Sequence, residues 1–221
     1  MEDKTGKEEE IRFWEKFVQT DRFLKDWCSN EVTSELLSGQ HEVVNIIQDF
    51  LAHNPELEVL DVGSGVVSIL TGLVPKENLT ACDLLAEDYI KIFDYAKHGL
   101  HWPSSIPVEL IQSEESFDIV HMRNALDHSQ DPMKGVHNLI KSLRKGGLLI
   151  IHGFTNEAIA ENWKGMHQWN IDLEVSKGDE RLHNMFIKDK DGVEFGFTAN
   201  YFSKKKILDT GKEWFIWILQ K

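Results

Sequence analysis

The chain predicts an α/β fold: an open sheet of seven strands, mostly parallel with a late antiparallel strand, and helices on both faces. Two observations carry this. Short apolar runs recur at residues 59–62, 79–82, 117–122 and 148–151, separated by stretches long enough for connecting helices. The first run passes straight into a glycine turn, Val-Leu-Asp-Val-Gly-Ser-Gly-Val-Val-Ser-Ile-Leu-Thr-Gly over residues 59–72, and then a helix-like pattern. Open parallel sheets receive ligands at such a passage.

The elements follow in order. Residues 1–9 are charged and are expected to fray. Ile11, Trp14, Phe17 and Val18, then Leu24, Trp27 and Cys28, recur near helical spacing and form a leader over residues 1–39. Residues 40–221 form the main domain, opening with a helix whose apolar stripe is Val43, Val44, Ile47, Phe50 and Leu51. Gly63 and Gly65 can take backbone angles denied to other residues and let a ligand approach the main chain, while a following helix would offer unpaired N–H groups. The second strand ends at Asp83, whose carboxylate can accept hydrogen bonds from both hydroxyls of a ribose; a helix cap or a solvated strand end would also place Asp there. At this point a nicotinamide dinucleotide and S-adenosyl-L-methionine fit equally.

The third run, 117–122, leads through residues 123–130 to Asp131-Pro132, a cap followed by a first-turn proline. Val136, Leu139, Ile140 and Leu143 give that helix an apolar face, Lys145-Gly146-Gly147 ends it, and 148–151 is the next strand. These four segments, in this order and spacing, resemble the class I S-adenosylmethionine-dependent methyltransferases over residues 40–155. The resemblance implies a Rossmann-like sheet with S-adenosyl-L-methionine as cofactor. Gly63 and Gly65 would contact it through backbone, Asp83 would hold the ribose and Asp61 would orient the loop, with Ser64, Leu84 and Asn124 as neighbouring contacts. Glu109 stands where an adenine-contacting acid belongs. The leader would fold over the cofactor as a lid, with Trp14 and Phe17 excluding water or simply packing. Two departures are visible: Val67 replaces a third glycine, and the third-strand region, 103–115, is short and carries Pro103 and Pro107.

A local likeness of residues 124–128, 152–157 and 167–170 to methyltransferases of sugar and surface-polysaccharide biosynthesis implies a small-molecule acceptor, bearing oxygen or nitrogen. His128 or His152 could take a proton from a hydroxyl, with Asp127 beside the first, since imidazole titrates near neutrality. His167, Trp169 and Asn170 are expected to contact the acceptor. No ligand spacing points to a metal. Asp118, inside its strand, is expected to be structural.

Beyond residue 155 a helix is expected over 156–164, then a hairpin at residues 189–192 between strands 184–188 and 193–198, and a final strand at 214–219. A net charge of −13, from 24 basic against 37 acidic residues, disfavours a nucleic-acid partner, and Lys204-Lys205-Lys206 reads as a solvated helix face. No apolar run is long enough to span a bilayer and the N-terminus lacks the features of a signal peptide, so no membrane association and a cytoplasmic location are expected. Cys28 and Cys82 are expected as free thiols. Two other functions share parts of this pattern: a cofactor-binding protein without turnover, and a nicotinamide reductase using Tyr201 and Lys205. The oligomeric state is left open.

Overall fold

The structure, a computed structural model of the 221-residue chain, describes residues 4–28, 41–176 and 179–221. The expected boundary at residues 39 and 40 lies outside the described residues. Helix α1 (Lys4–Phe17) starts earlier than expected, so residues 4–9 are helical rather than frayed. Lys7 binds Asp88 at 3.1 Å and Glu10 accepts a hydrogen bond from Trp14 Nε1 at 2.9 Å. Helix α2 (Asp21–Trp27) is capped by Thr20, whose hydroxyl accepts from the Phe23 N–H. Helix α3 (His41–His53) carries the predicted stripe and precedes strand β1 (Val59–Val62).

Strands β2 (Leu79–Cys82), β3 (Phe117–Arg123) and β4 (Leu143–Phe154) join β1 in parallel, and β9 (Glu213–Gln220) and β8 (Phe202–Ile207) add on antiparallel, in the order β2-β1-β3-β4-β9-β8. Among the described residues the central sheet has six of the expected seven strands. Beyond β2, among the described residues, a single bridge forms, between Cys82 and Ser104. Pro103 and Pro107 flank that bridge, and a residue without an N–H cannot extend a ladder.

The two faces of the sheet bury different layers, as a period of two requires. Val59, Ile119, Leu148, Ile150, Ile216 and Ile218 pack with residues of α1, α2 and α3 and helix α4 (Ala86–Ile92). Leu60, Val120, Met122, Leu149, Ile151 and Trp217 face helix α6 (Pro132–Ser142) and a separate three-stranded sheet, β5 (Asn170–Ser176), β6 (Asp179–Lys188) and β7 (Glu194–Thr198). The predicted hairpin is thus present as β6 and β7, but as a second layer rather than an extension of the main sheet.

Three local expectations fail for identifiable reasons. No helix follows the glycine turn: Gly72 at φ +83, Pro75 and a bridge between Thr71 and Val74 confine the segment to turns, whose Val66, Val67, Ile69, Leu70, Leu73 and Val74 are buried. Within 156–164 only α7 (Glu157–Ala160) is helical, because Asn162 and Trp163 take left-handed backbone. The three lysines lie on strand β8, not a helix. Lys204 and Lys206 reach Glu42 at 2.6 and 3.5 Å, while Lys205, on the other face, binds Asp172 and Glu213. A short helix α5 (Tyr95–His98) completes the described helices.

Candidate active site

A cleft of about 1080 Å³ opens beyond the carboxyl ends of β1 and β3, where the strand order reverses. Its wall includes Asp61, Gly63, Ser64, Gly65, Asp83, Leu84, Glu109, Asn124, His128 and His167, so eight expected cofactor residues and two expected acceptor-side histidines converge there. Asn124 sits at φ +48 and its Oδ1 accepts from the Phe154 N–H, which fixes the end of β3 against β4.

The glycine turn works differently from expectation. Gly63 and Ser64 donate their N–H groups to the Cys82 carbonyl at 2.9 and 3.2 Å, and Gly65 donates to Asp83 Oδ2 at 2.9 Å. The amides therefore tie β1 to the end of β2 and leave close approach as the turn's contribution. Gly63 and Gly65 both have left-handed backbone, at φ +66 and +67. A side-chain carbon on Gly65 would lie 2.6 Å from the Trp14 indole. Trp14 also packs edge-on against Tyr89 and, with Phe13 and Phe17, roofs this part of the cleft. The roof is pinned where Gly6 meets the Gly165 backbone.

Asp83 is buried, with Oδ1 accepting from Leu85 N–H at 2.8 Å and Tyr89 hydrogen-bonded to its carboxylate. Burial raises its pKa, and the three hydrogen bonds only partly oppose that effect. Three of the roughly four acceptor positions of the carboxylate are thereby taken, which leaves one for a ligand hydroxyl. Glu109 lies on a 3-10 turn rather than a strand, and one carboxylate oxygen accepts from the Gln130 and Asp131 N–H groups at 2.6 and 3.0 Å. It anchors the start of α6 at the cleft wall.

At the other end of the cleft, Asp127 Oδ2 lies 2.7 Å from His167 Nδ1 and 3.5 Å from His128 Nε2, and the two imidazoles are 3.2 Å apart. Asp127 and His128 belong to the 3-10 turn Leu126–His128 after β3. His167 comes from the loop before β5. Gln168 N–H donates to the Asp127 carbonyl and Trp169 Nε1 to the Ser129 carbonyl, both at 2.9 Å, which clamps that loop to the turn. Burial alone would lower the His167 pKa, but the Asp127 hydrogen bond and charge, with Glu157 and Glu161, outweigh it and hold the group above its usual value. Glu157 lines the cleft beside them with Oε2 buried and unpartnered, and burial followed by the Asp127 charge raises its pKa.

Asp127 is buried and is not itself on the cleft wall, and three other expected site residues lie away from the cleft. His152 is fully buried: its Nε2 meets His121 Nε2 at 2.7 Å and its ring packs on Trp214, so it cannot reach an acceptor. Burial, then the neighbouring His121 and Arg123, pushes its pKa well down. Trp169 is the clamp just described, packed near Phe195, and Asn170 is buried with Oδ1 accepting from Ile159 N–H. Asp118 binds Glu58 N–H and Arg144, the structural role expected. Tyr201 and Lys205 lie outside the cleft, and Lys205 is committed to two carboxylates.

A buried chain that sequence reasoning missed supports the floor of the site. Ser68 donates to Asp61 Oδ2 at 2.5 Å, His121 Nδ1 meets Asp61 Oδ1 at 2.7 Å, and His152 follows. Its signal was present: Asp61, His121 and His152 each interrupt an otherwise apolar stretch of strand, and the register pairs Asp61 with His121 across β1 and β3.

Comparison with known proteins bears on the whole arrangement. A family model described as a methyltransferase domain matches residues 38–187. Ubiquinone biosynthesis O-methyltransferases of Rickettsia conorii and Rickettsia felis are 30% and 29% identical over 100 and 113 residues, 43% and 48% of this chain. The matched region spans only 34% and 46% of those relatives. Among solved structures, the N-methyltransferase NodS from Bradyrhizobium japonicum WM9 aligns with a TM-score of 0.52 at 13% identity, covering 85% of this chain and 97% of NodS, which shows the shared fold. Matched by the family model over more than half its length and built on the same sheet, the chain belongs to the methyltransferase-domain family of class I S-adenosylmethionine-dependent methyltransferases.

Proposed function

We propose that the chain transfers a methyl group from S-adenosyl-L-methionine to a hydroxyl oxygen of a small, partly aromatic acceptor. The observation that carries this is one cleft lined by both the glycine turn with Asp83 and by His128 and His167, the two histidines being held by the buried Asp127. Its volume suits a nucleoside-sized ligand plus an acceptor. The residues fit the cofactor: Asp83 keeps one acceptor position for a ribose hydroxyl, Gly63 and Gly65 allow close approach, and Leu84 and Val108 offer apolar surface near Glu109. When bound, the sulfonium supplies an electrophilic methyl whose transfer discharges the positive sulfur.

The protein's part is alignment. An in-line displacement needs the acceptor oxygen held behind the methyl carbon, which converts a bimolecular encounter into a positioned one. Phe13, Phe17, Trp27 and Met166 give the cleft an apolar lining, and His128 and His167 offer polar partners for the nucleophilic atom. The name of the Rickettsia relatives, ubiquinone biosynthesis O-methyltransferase, favours oxygen, and the aromatic lining of the cleft suits an acceptor with an aromatic portion; the local sequence likeness adds sugar hydroxyls as a second acceptor class. The test is transfer of tritium from methyl-labelled cofactor to a panel of phenols, catechols and sugar nucleotides. Labelled product from a phenolic or sugar hydroxyl supports the proposal. Cofactor binding with no transfer to any panel member, or transfer only to amines, counts against it.

A further inference from the structure

We propose that Asp127 Oδ2, His128 Nε2 and His167 Nδ1 bind a divalent transition cation, of the zinc or iron(II) class, at the acceptor end of the cleft. These three atoms lie 2.7, 3.2 and 3.5 Å from one another. Ligand atoms about 2.0–2.2 Å from one metal are separated by roughly 2.9–3.4 Å, so a cation between them requires shifts of only a few tenths of an ångström. Two imidazoles and one carboxylate are the donor set that borderline metals prefer over calcium or magnesium. All three are within 4.8 Å as a group, and among the described residues no other histidine, cysteine and carboxylate cluster meets that test.

Three further features point to a cation. Asp127 is nearly buried, at 6% side-chain exposure, whereas His128 and His167 remain open to the cleft at 16% and 23%, so coordination positions on the open side face the acceptor. Two backbone-directed clamps, Gln168 to Asp127 and Trp169 to Ser129, hold the two ligand-bearing segments together, the kind of support that fixes ligand geometry. Glu157 adds a second carboxylate at the cleft wall with a buried, unpartnered oxygen, and it interacts electrostatically with all three.

This site rests on the methyl-transfer reading for its role. The acceptor hydroxyl coordinates the cation and releases its proton to water. The resulting oxyanion forms the new O–CH3 bond as the S–CH3 bond breaks, and that electron pair stays on sulfur as a neutral thioether. Asp127, previously assigned beside a general base, becomes a ligand.

The experiment uses the full chain stripped with a chelator and titrated with Zn2+ against a chromophoric competitor, with S-adenosylhomocysteine affinity measured in parallel. The expected result is one Zn2+ per chain, weakened roughly 100-fold by His167→Ala and by His128→Ala. S-adenosylhomocysteine binding should be retained in both variants, and Zn2+ affinity unchanged by His137→Ala on the exposed side of α6. Circular dichroism reports folding, and His128→Gln replaces any alanine variant that fails to fold. Substoichiometric uptake by wild type, or variants that bind Zn2+ as wild type does, overturns the site while leaving methyl transfer standing. Stoichiometric Zn2+ binding without S-adenosylhomocysteine binding keeps the site and overturns the transfer reading.

Discussion

Replacing Asp83 with alanine tests both the architecture and the ligand role of one residue. The carboxylate receives the N–H groups of Gly65 and Leu85 at 2.9 and 2.8 Å and a hydrogen bond from Tyr89. Leaving two buried amides without an acceptor costs about 1–3 kcal/mol each. Removing a carboxylate that burial already disfavours offsets part of that cost, so the net loss of stability should fall near the lower end, about 2–3 kcal/mol. Because Gly65 then loses its tether to β2, the turn moves as well, and loss of charge-assisted bonds to the ribose weakens S-adenosylhomocysteine binding by roughly 10–100-fold. Urea unfolding gives the first quantity and calorimetry the second. Asp83→Asn, which keeps an acceptor oxygen, should recover more stability than affinity. An alanine variant with wild-type stability and affinity within about twofold of wild type would refute the reasoning, since one charge-assisted bond alone exceeds that.

Other perturbations follow from the same geometry. Gly63→Ala combines left-handed backbone at φ +66 with a clash against the Ala125 methyl, so it should cost about 2–4 kcal/mol; Ala125→Gly in the same chain should restore the steric part only. Glu42 has its pKa held down: burial opposes, but the Lys204 hydrogen bond and the Lys204 and Lys206 charges prevail. A depressed folded-state pKa gives stability that is present above the unfolded carboxylate pKa and lost as pH falls through the folded value. The melting-temperature gap between wild type and Glu42→Gln should therefore be open at neutral pH and close in acid; a gap that is constant with pH contradicts the assignment. Burial pushes the Cys28 thiol up to about 11, so mild alkylation at pH 8 should leave it unmodified in the native chain and label it on unfolding, as followed by mass spectrometry. Rapid native labelling would contradict the packing of α2.

The parts of this fold that were legible in the sequence are those set by local periodicity. Strands such as Ile119-Val120 and Leu149-Ile150 declare themselves by burial on both faces, and Asp131-Pro132 declares the start of α6 by its cap. What was not legible depends on partners distant in sequence. Residues 66–74 looked helical, yet left-handed Gly72 and the bridge between Thr71 and Val74 make the segment a series of turns, a backbone outcome that the apolar pattern does not reveal. The lysine triplet alternates across β8 because Glu42 on one face and Asp172 and Glu213 on the other receive it. The candidate site divides in the same way. Asp83 and the glycines were found by spacing, whereas His167 meets Asp127 across 40 residues only because Trp169 clamps the intervening loop. His121 and His152 sit in or directly after the apolar runs that become strand interiors and bury them, whereas His128 follows in a polar segment, a 3-10 turn at the strand end that leaves it partly exposed.

Calorimetric titration of the purified chain with S-adenosylmethionine, S-adenosylhomocysteine and NADH tests the central claim most directly. The cleft around Gly63, Gly65 and Asp83 predicts micromolar, one-to-one binding of both sulfur compounds and none of NADH. Binding of NADH, or of neither sulfur compound, would contradict the assignment of this cleft as the cofactor site.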